Sequence, residues 1–101
     1  MNVTKFLINS LMVIASVDDY RVSARQFARL IKPDSPAWSR VYNTGPNGAC
    51  SGKGMWLWAG SYLSKLVYAG YVYRHYDEYC CATYGLLNKG WELLRNEGKI
   101  K

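Results

Sequence analysis

The stretch Met55–Gly90, MWLWAGSYLSKLVYAGYVYRHYDEYCCATYGLLNKG, constrains the fold of this chain more than any other. At about 100° per residue, Trp56, Ala59, Gly60, Leu63, Leu66 and Val67 fall on one side of a helix. Trp58, Ser61, Tyr62 and Lys65 fall on the other. The spacing predicts a helix over 55–69, stopped at Ala69-Gly70, where glycine can adopt the left-handed conformation that ends a helix. YVYRHY and YCCATYGLL are then rich in strand formers and flank Asp77-Glu78, which predicts strands over 71–76 and 80–86 joined by a tight turn. A helix that runs straight into a β-hairpin makes the chain α+β.

The 101 residues suffice for one domain, 1–101, with a single small core. Upstream, Val3, Leu7, Leu11 and Ile14 share a face of a helix expected over 3–17. Phe6, Ile8, Met12 and Val13 make that helix apolar well beyond one stripe, so it lies deep in the fold or packs on a second subunit. Lys5 before an apolar run resembles the start of a signal peptide, but Asn9 and Ser10 interrupt the run and it is too short to span a bilayer. It reads as a helix of the domain. Asp18-Asp19 marks a turn, and 20–22 forms a short strand. Ser23-Ala24-Arg25-Gln26 has the S-x-x-Q form of a capping box and opens a helix over 23–31 that buries Ala24, Phe27, Ala28 and Ile31 while Arg25 and Arg29 point outward. Pro33 closes it.

Ser35-Pro36 reads as an N-cap and first helical position, giving a short helix over 36–42. TGPNGACSGKG then lacks apolar spacing and reads as a long glycine-rich loop. Gly52-Lys53 invites comparison with a phosphate-binding P-loop, but the required upstream glycine is Asn47 and the residue after the lysine is Gly54, so that motif is excluded. The last helix, 88–97, opens at Asn88 as N-cap and carries Glu92 early and Arg95 late, which suits its dipole.

Charge is unevenly spread. Of the net charge of +6, the segment from Arg21 to Arg74 holds eight bases (Arg21, Arg25, Arg29, Lys32, Arg40, Lys53, Lys65, Arg74) against Asp34 alone. A basic middle with near-neutral ends is the footprint of a polyanion-binding face, although a merely solvated surface gives the same composition.

These elements resemble the winged helix-turn-helix family of transcriptional regulators, in particular the multiple-antibiotic-resistance and phenolic-acid regulator types. The similarity lies in Leu63, Leu66 and Ala69-Gly70-Tyr71-Val72 at the helix-to-wing junction, then in Tyr84, Leu86, Gly90 and Leu93-Leu94. Leu87 stands where the family commonly has threonine. The resemblance covers roughly Tyr20 to Leu94 and implies a small, cytoplasmic, duplex-DNA-binding transcriptional regulator. It implies that helix 55–69 enters the major groove and that the hairpin tip Tyr76–Tyr79 approaches the backbone or minor groove. In many members the first helix contributes to a homodimer. The expected DNA-contacting set is Arg25, Arg29, Lys53, Trp58, Ser61, Tyr62, Lys65, Arg74 and His75, with Lys65 and Ser61 able to reach phosphates or base edges.

A second reading starts from the same helix. Its outward face has no arginine, asparagine or glutamine, the side chains that supply most bidentate base readout. Outward Trp58 and Tyr62 suit a protein interface, and Asp77-Glu78 at the wing tip repels phosphate. A protein-interaction module, such as a compact phage-type factor, is therefore the alternative. Stacking of bases on the aromatics competes with their use as ordinary core. Cys80-Cys81 with His75 and Cys50 suggests a metal site, but adjacent strand residues point to opposite faces, so a small buried cysteine is the simpler expectation. Three cysteines fit a reducing compartment; Cys50 in a basic loop is a candidate reactive thiol. One histidine without a nucleophile at a recognised spacing argues against catalysis, and no cofactor, metal or membrane partner is expected.

Overall fold

The computed structural model describes residues 2–17, 19–39, 41–43, 49–51, 53–78 and 81–99. For residues 37, 41–43, 49–51 and 53 only the backbone is described. The chain is α+β, with helices α1 (Lys5–Ser16), α2 (Ala24–Ile31), α3 (Lys53–Tyr68) and α4 (Asn88–Asn96). Strands β1 (Arg21–Val22), β4 (Val72–Tyr76) and β5 (Ala82–Leu86) form an antiparallel sheet in the order β1-β5-β4. Strands β2 (Val41–Asn43) and β3 (Ala49–Ser51) pair separately.

Local chemistry explains most of the boundaries. Thr4 caps α1 by accepting from Leu7 N at 3.1 Å, and Ser23 caps α2 by accepting from Gln26 N at 3.1 Å. Helix α1 buries Leu7, Leu11 and Ile14 as its spacing requires, whereas Val3 precedes the helix and is exposed. Ile8, Met12 and Val13 pack against the core from the side. The apolar surplus of α1 is thus largely used within the chain. Helix α3 ends at Gly70, whose φ of 84° allows Gly70 N and Tyr71 N to bond back to Val67 O and Leu66 O. Lys89 of α4 donates Nζ to Ala69 O at 2.8 Å, satisfying a further carbonyl at that end.

The core joins all the layers. Leu11 and Ile14 of α1, Val22 of β1, Phe27 of α2, Leu63 and Leu66 of α3, Val72 of β4 and Leu94 of α4 are fully buried. In the sheet, Arg74 lies opposite Tyr84 and Tyr73 opposite Gly85. A Cβ at Gly85 would lie 2.5 Å from the Tyr73 ring, so glycine is what lets that ring lie across the strands.

Three expectations are corrected. The short helix over 36–42 shrinks to a 3-10 turn, Pro36–Ser39, because 41–43 is strand. The loop after it contains an antiparallel pair, with Val41 opposite Ser51 and Asn43 opposite Ala49, and Lys53-Gly54 already belong to α3. With Asn43 opposite Ala49 the connection is residues 44–48, which lie outside the described residues, and strands this short leave no alternating pattern in the sequence. Finally, α4 is capped by Leu87 without a side-chain bond, so Asn88 is not its N-cap. Cys81 precedes β5 and is exposed, so the small buried cysteine expected at Cys80 or Cys81 is not Cys81; Tyr79 and Cys80 lie outside the described residues.

Candidate nucleic-acid interface

Helix α3 is packed on two sides, and this decides which of its side chains are free. Met55, Ala59, Leu63 and Leu66 face the core. On the flank towards α1 and α2, Trp58 and Tyr62 lie nearly parallel, with ring centres 6.0 Å apart and planes at 9°. Phe27 stacks on both, and Phe6 meets Tyr62 edge-on at 5.0 Å. Trp58 and Tyr62 are therefore half-buried members of an aromatic cluster and not the outward face that helical spacing assigned them. Desolvation pushes the Tyr62 phenol above its ordinary pKa, opposed by a hydrogen bond with Ser10.

The uncovered arc is Leu57, Ser61, Lys65 and Tyr68, all exposed. At about 100° per residue these four span only about 80° of the helix surface. Ser61 and Lys65 fall at the middle of the stripe; Leu57, 62% exposed, and Tyr68, 90% exposed, mark its ends.

The cations of α2 are the second component. Arg25 lies over Trp56 with 4.8 Å from Cζ to the ring centre, and Arg29 over Trp38 with 3.8 Å. Lys32, just past the helix, places Nζ 4.3 Å from the Trp58 ring. All three side chains are exposed. Trp38 is anchored in turn, donating Nε1 to Lys32 O at 2.7 Å. Trp56, assigned by its spacing to the apolar side, is half-buried, and its buried Nε1 has no hydrogen-bond partner among the described residues.

The wing contributes less than expected. Arg74 donates to Ser64 Oγ at 2.6 Å and to Tyr84 Oη at 3.3 Å, and lies over the Tyr84 ring at 5.4 Å. The bond to Tyr84 is the main reason its pKa rises. This guanidinium ties the hairpin to α3. His75, the next residue on β4, points to the other face of the sheet and is exposed, so the two are not brought together. Asp77 and Glu78, both exposed, open the turn after β4. Asp77 N donates to Cys81 O at 3.1 Å, and Cys81 N donates to Asp77 Oδ1 at 2.9 Å.

Of the expected DNA-contacting residues, Arg25 and Arg29 on α2 and Ser61 and Lys65 on α3 are exposed. Trp58 and Tyr62 are instead packed against Phe6 and Phe27. Lys53 begins α3, but its side chain lies outside what the structure describes. Sequence reasoning missed Lys32, although 25, 29 and 32 follow helical i, i+4, i+7 spacing. It also missed Trp38 and Trp56 as platforms, which no spacing rule identifies.

Among the described residues, no group of three or more His, Cys, Asp or Glu side chains could hold a metal ion. A shallow cleft of about 290 Å³ between the start of α1 and the end of α4 is lined by Lys5, Ile8, Asn9, Glu97 and Lys99, and it combines no nucleophile with a base. No helix among the described residues is long and apolar enough to cross a membrane. Comparison with family models, curated proteins and solved structures finds no match.

Proposed function

We propose that this chain is a winged-helix DNA-binding protein, a transcriptional regulator that lays the outer arc of α3 in the major groove of duplex DNA. The observation that carries this reading is the uncovered stripe of α3, which holds exposed Ser61 and Lys65. Support also comes from the element order. A strand between the first two helices joins the hairpin that follows the third, with β5 between β1 and β4. That is the arrangement a winged helix requires. Its target would place it in the cytoplasm.

A helix in the groove reads bases through a few side chains on one stripe. Here Ser61 can donate to or accept from several base edges, and Lys65 can meet guanine or a phosphate. Leu57 offers apolar contact to a thymine methyl. A homodimer built on α1, with exposed Val3 and Phe6 at its edge, would need its two α3 helices about 34 Å apart to meet successive turns.

Titration of a labelled duplex at rising salt tests the proposal. Affinity is expected to fall steeply between about 50 and 200 mM salt, and Lys65→Ala is expected to reduce the log–log slope by about 0.9 if Lys65 meets a phosphate. Absence of binding at low salt refutes the reading. The competing reading, a protein-interaction module, draws on Leu57 and Tyr68 at the ends of the same stripe and on exposed Asp77 and Glu78. With Trp58 and Tyr62 packed inward, its anchor residues would be Leu57 and Tyr68. Loss of a protein partner on Tyr68→Ser, with no effect of Lys65→Ala on DNA, favours it.

A further inference from the structure

Arg74-His75-Tyr76-Asp77-Glu78 places two bases, an aromatic ring and two acids in succession. Laid antiparallel on itself, that string is complementary in charge at every position, with Tyr76 at its centre. It also lies on a sheet edge. In the order β1-β5-β4, strand β4 pairs with β5 on one side and with no other strand among the described residues. Leu87 N donates to Tyr71 O and Asp77 N to Cys81 O, so the odd-numbered residues of β4 turn their backbone groups towards β5. The alternation of an antiparallel ladder then directs the N–H and C=O of Arg74 and Tyr76 to the outer edge. We infer that this edge is the contact through which two copies of the chain associate, β4 pairing antiparallel with β4 about a two-fold axis at Tyr76.

Registers centred on Arg74, His75 or Tyr76 all keep the bonding alternation of this edge, and charge chooses among them. Centring on Arg74 sets that guanidinium against its own copy, and centring on His75 does the same for the imidazole. Centring on Tyr76 sets Arg74 opposite the partner's Glu78 and His75 opposite the partner's Asp77, each twice by symmetry. Opposite charges across a strand pair stabilise it, and like charges oppose it. Asp77 and Glu78 continue past the end of β4, so they take part through their side chains, while the backbone bonds centre on Tyr76. Burial fits the same register. Val72 is fully buried, which closes the edge there, whereas His75, Tyr76, Asp77 and Glu78 are exposed, Tyr76 by 57%. Arg74 donates to Ser64 and Tyr84, and a guanidinium with five N–H groups keeps others for a carboxylate. The acidic pair that opposes a phosphate thereby gains a use. At the far edge of the sheet, β1 has only two residues, so the contact is isologous and closes as a dimer. This surface is separate from α1, and the inference does not rest on binding of DNA.

Sedimentation equilibrium of the full chain without DNA tests this, with the folding of each variant checked by circular dichroism. A contact this small belongs with weak interfaces, below about 1,200 Å² in total, so a dimer is expected at low salt with a Kd of about 100 µM. Glu78→Lys and His75→Glu are each expected to weaken it about tenfold, because a like-charge pair replaces an opposite pair twice in each dimer. Asp77→Lys is expected to do the same. Mixing His75→Glu with Asp77→Lys should restore association, since the introduced carboxylate then meets the introduced ammonium. Asp77→Lys also loses the bond from Cys81 N; should it fail to fold, Glu78→Lys and His75→Glu decide alone. A chain that stays monomeric up to about 500 µM at low salt overturns the inference. So does a dimer that Glu78→Lys and His75→Glu leave unchanged, or one lost on Val3→Ser and kept in those two variants, which assigns the contact to α1. Folded His75→Glu and Asp77→Lys chains that do not associate with each other overturn the register about Tyr76.

Discussion

Replacing Trp58 with alanine separates two pictures of α3 by a margin large enough to measure. If Trp58 projected into solvent, its removal would change stability by no more than about 0.5 kcal/mol. In the structure it stacks on Tyr62 and Phe27, borders Phe6 and supports the Lys32 ammonium. Truncating a fully buried tryptophan costs about 3–5 kcal/mol, so a half-buried one costs roughly 2 kcal/mol. Removing the parallel stacking on Tyr62 adds about 0.5–1 kcal/mol, and removing the ring beneath the cation about 0.5 kcal/mol. The expected cost of Trp58→Ala is therefore about 3 kcal/mol. That is a large part of the roughly 5–15 kcal/mol available to a domain of this size and should lower Tm by about 10–20 °C. Urea denaturation followed by circular dichroism at a fixed pH gives the value, with Leu57→Ala, at a 62% exposed position on the free arc, as the control. A destabilisation below about 1 kcal/mol, equal to that of Leu57→Ala, would refute the packed aromatic cluster and return Trp58 to the surface.

Two further outcomes follow from single interactions. Ser64→Ala removes the hydroxyl that accepts from Arg74 at 2.6 Å; because both groups are part-exposed and water can replace the bond, the expected destabilisation is only about 0.5–1 kcal/mol in chemical denaturation, and an unchanged stability would mean that Arg74 does not tie the hairpin to α3. The Tyr62 phenol is pushed up chiefly by burial, so the folded state holds its proton to higher pH than the unfolded state does. Its stabilising share is complete below the unfolded pKa of about 10 and is lost as pH rises through the higher folded value; Tyr62→Phe should accordingly lose less stability between neutral and strongly alkaline pH, and parallel curves for the two proteins would contradict the burial of that hydroxyl.

The sequence alone determined the parts of this protein that depend on neighbours along the chain. Ser23 and Gln26 start α2, Gly70 stops α3, and alternating strand formers on either side of Asp77 give the hairpin; each is a contest among a few adjacent backbone groups, so the residues themselves decide it. The outward charge of α2 was legible for the same reason, because Arg25 and Arg29 lie one helical turn apart whatever packs beneath them. The β2–β3 pair was not legible, because its strands have three residues each and show no alternating pattern. What only the tertiary structure decided is the use of each face. Helical spacing divides α3 into two sides, yet α3 is covered by the core on one and by α1 and α2 on another, so the buried arc is wider than the apolar stripe and leaves Leu57, Ser61, Lys65 and Tyr68 outside. The same crossing of α2 and α3 brings Trp56 under Arg25 and Trp58 under Lys32. These partners are more than twenty residues apart, and no local preference fixes which side chain of one helix meets which of another; that is settled by how the two surfaces interlock.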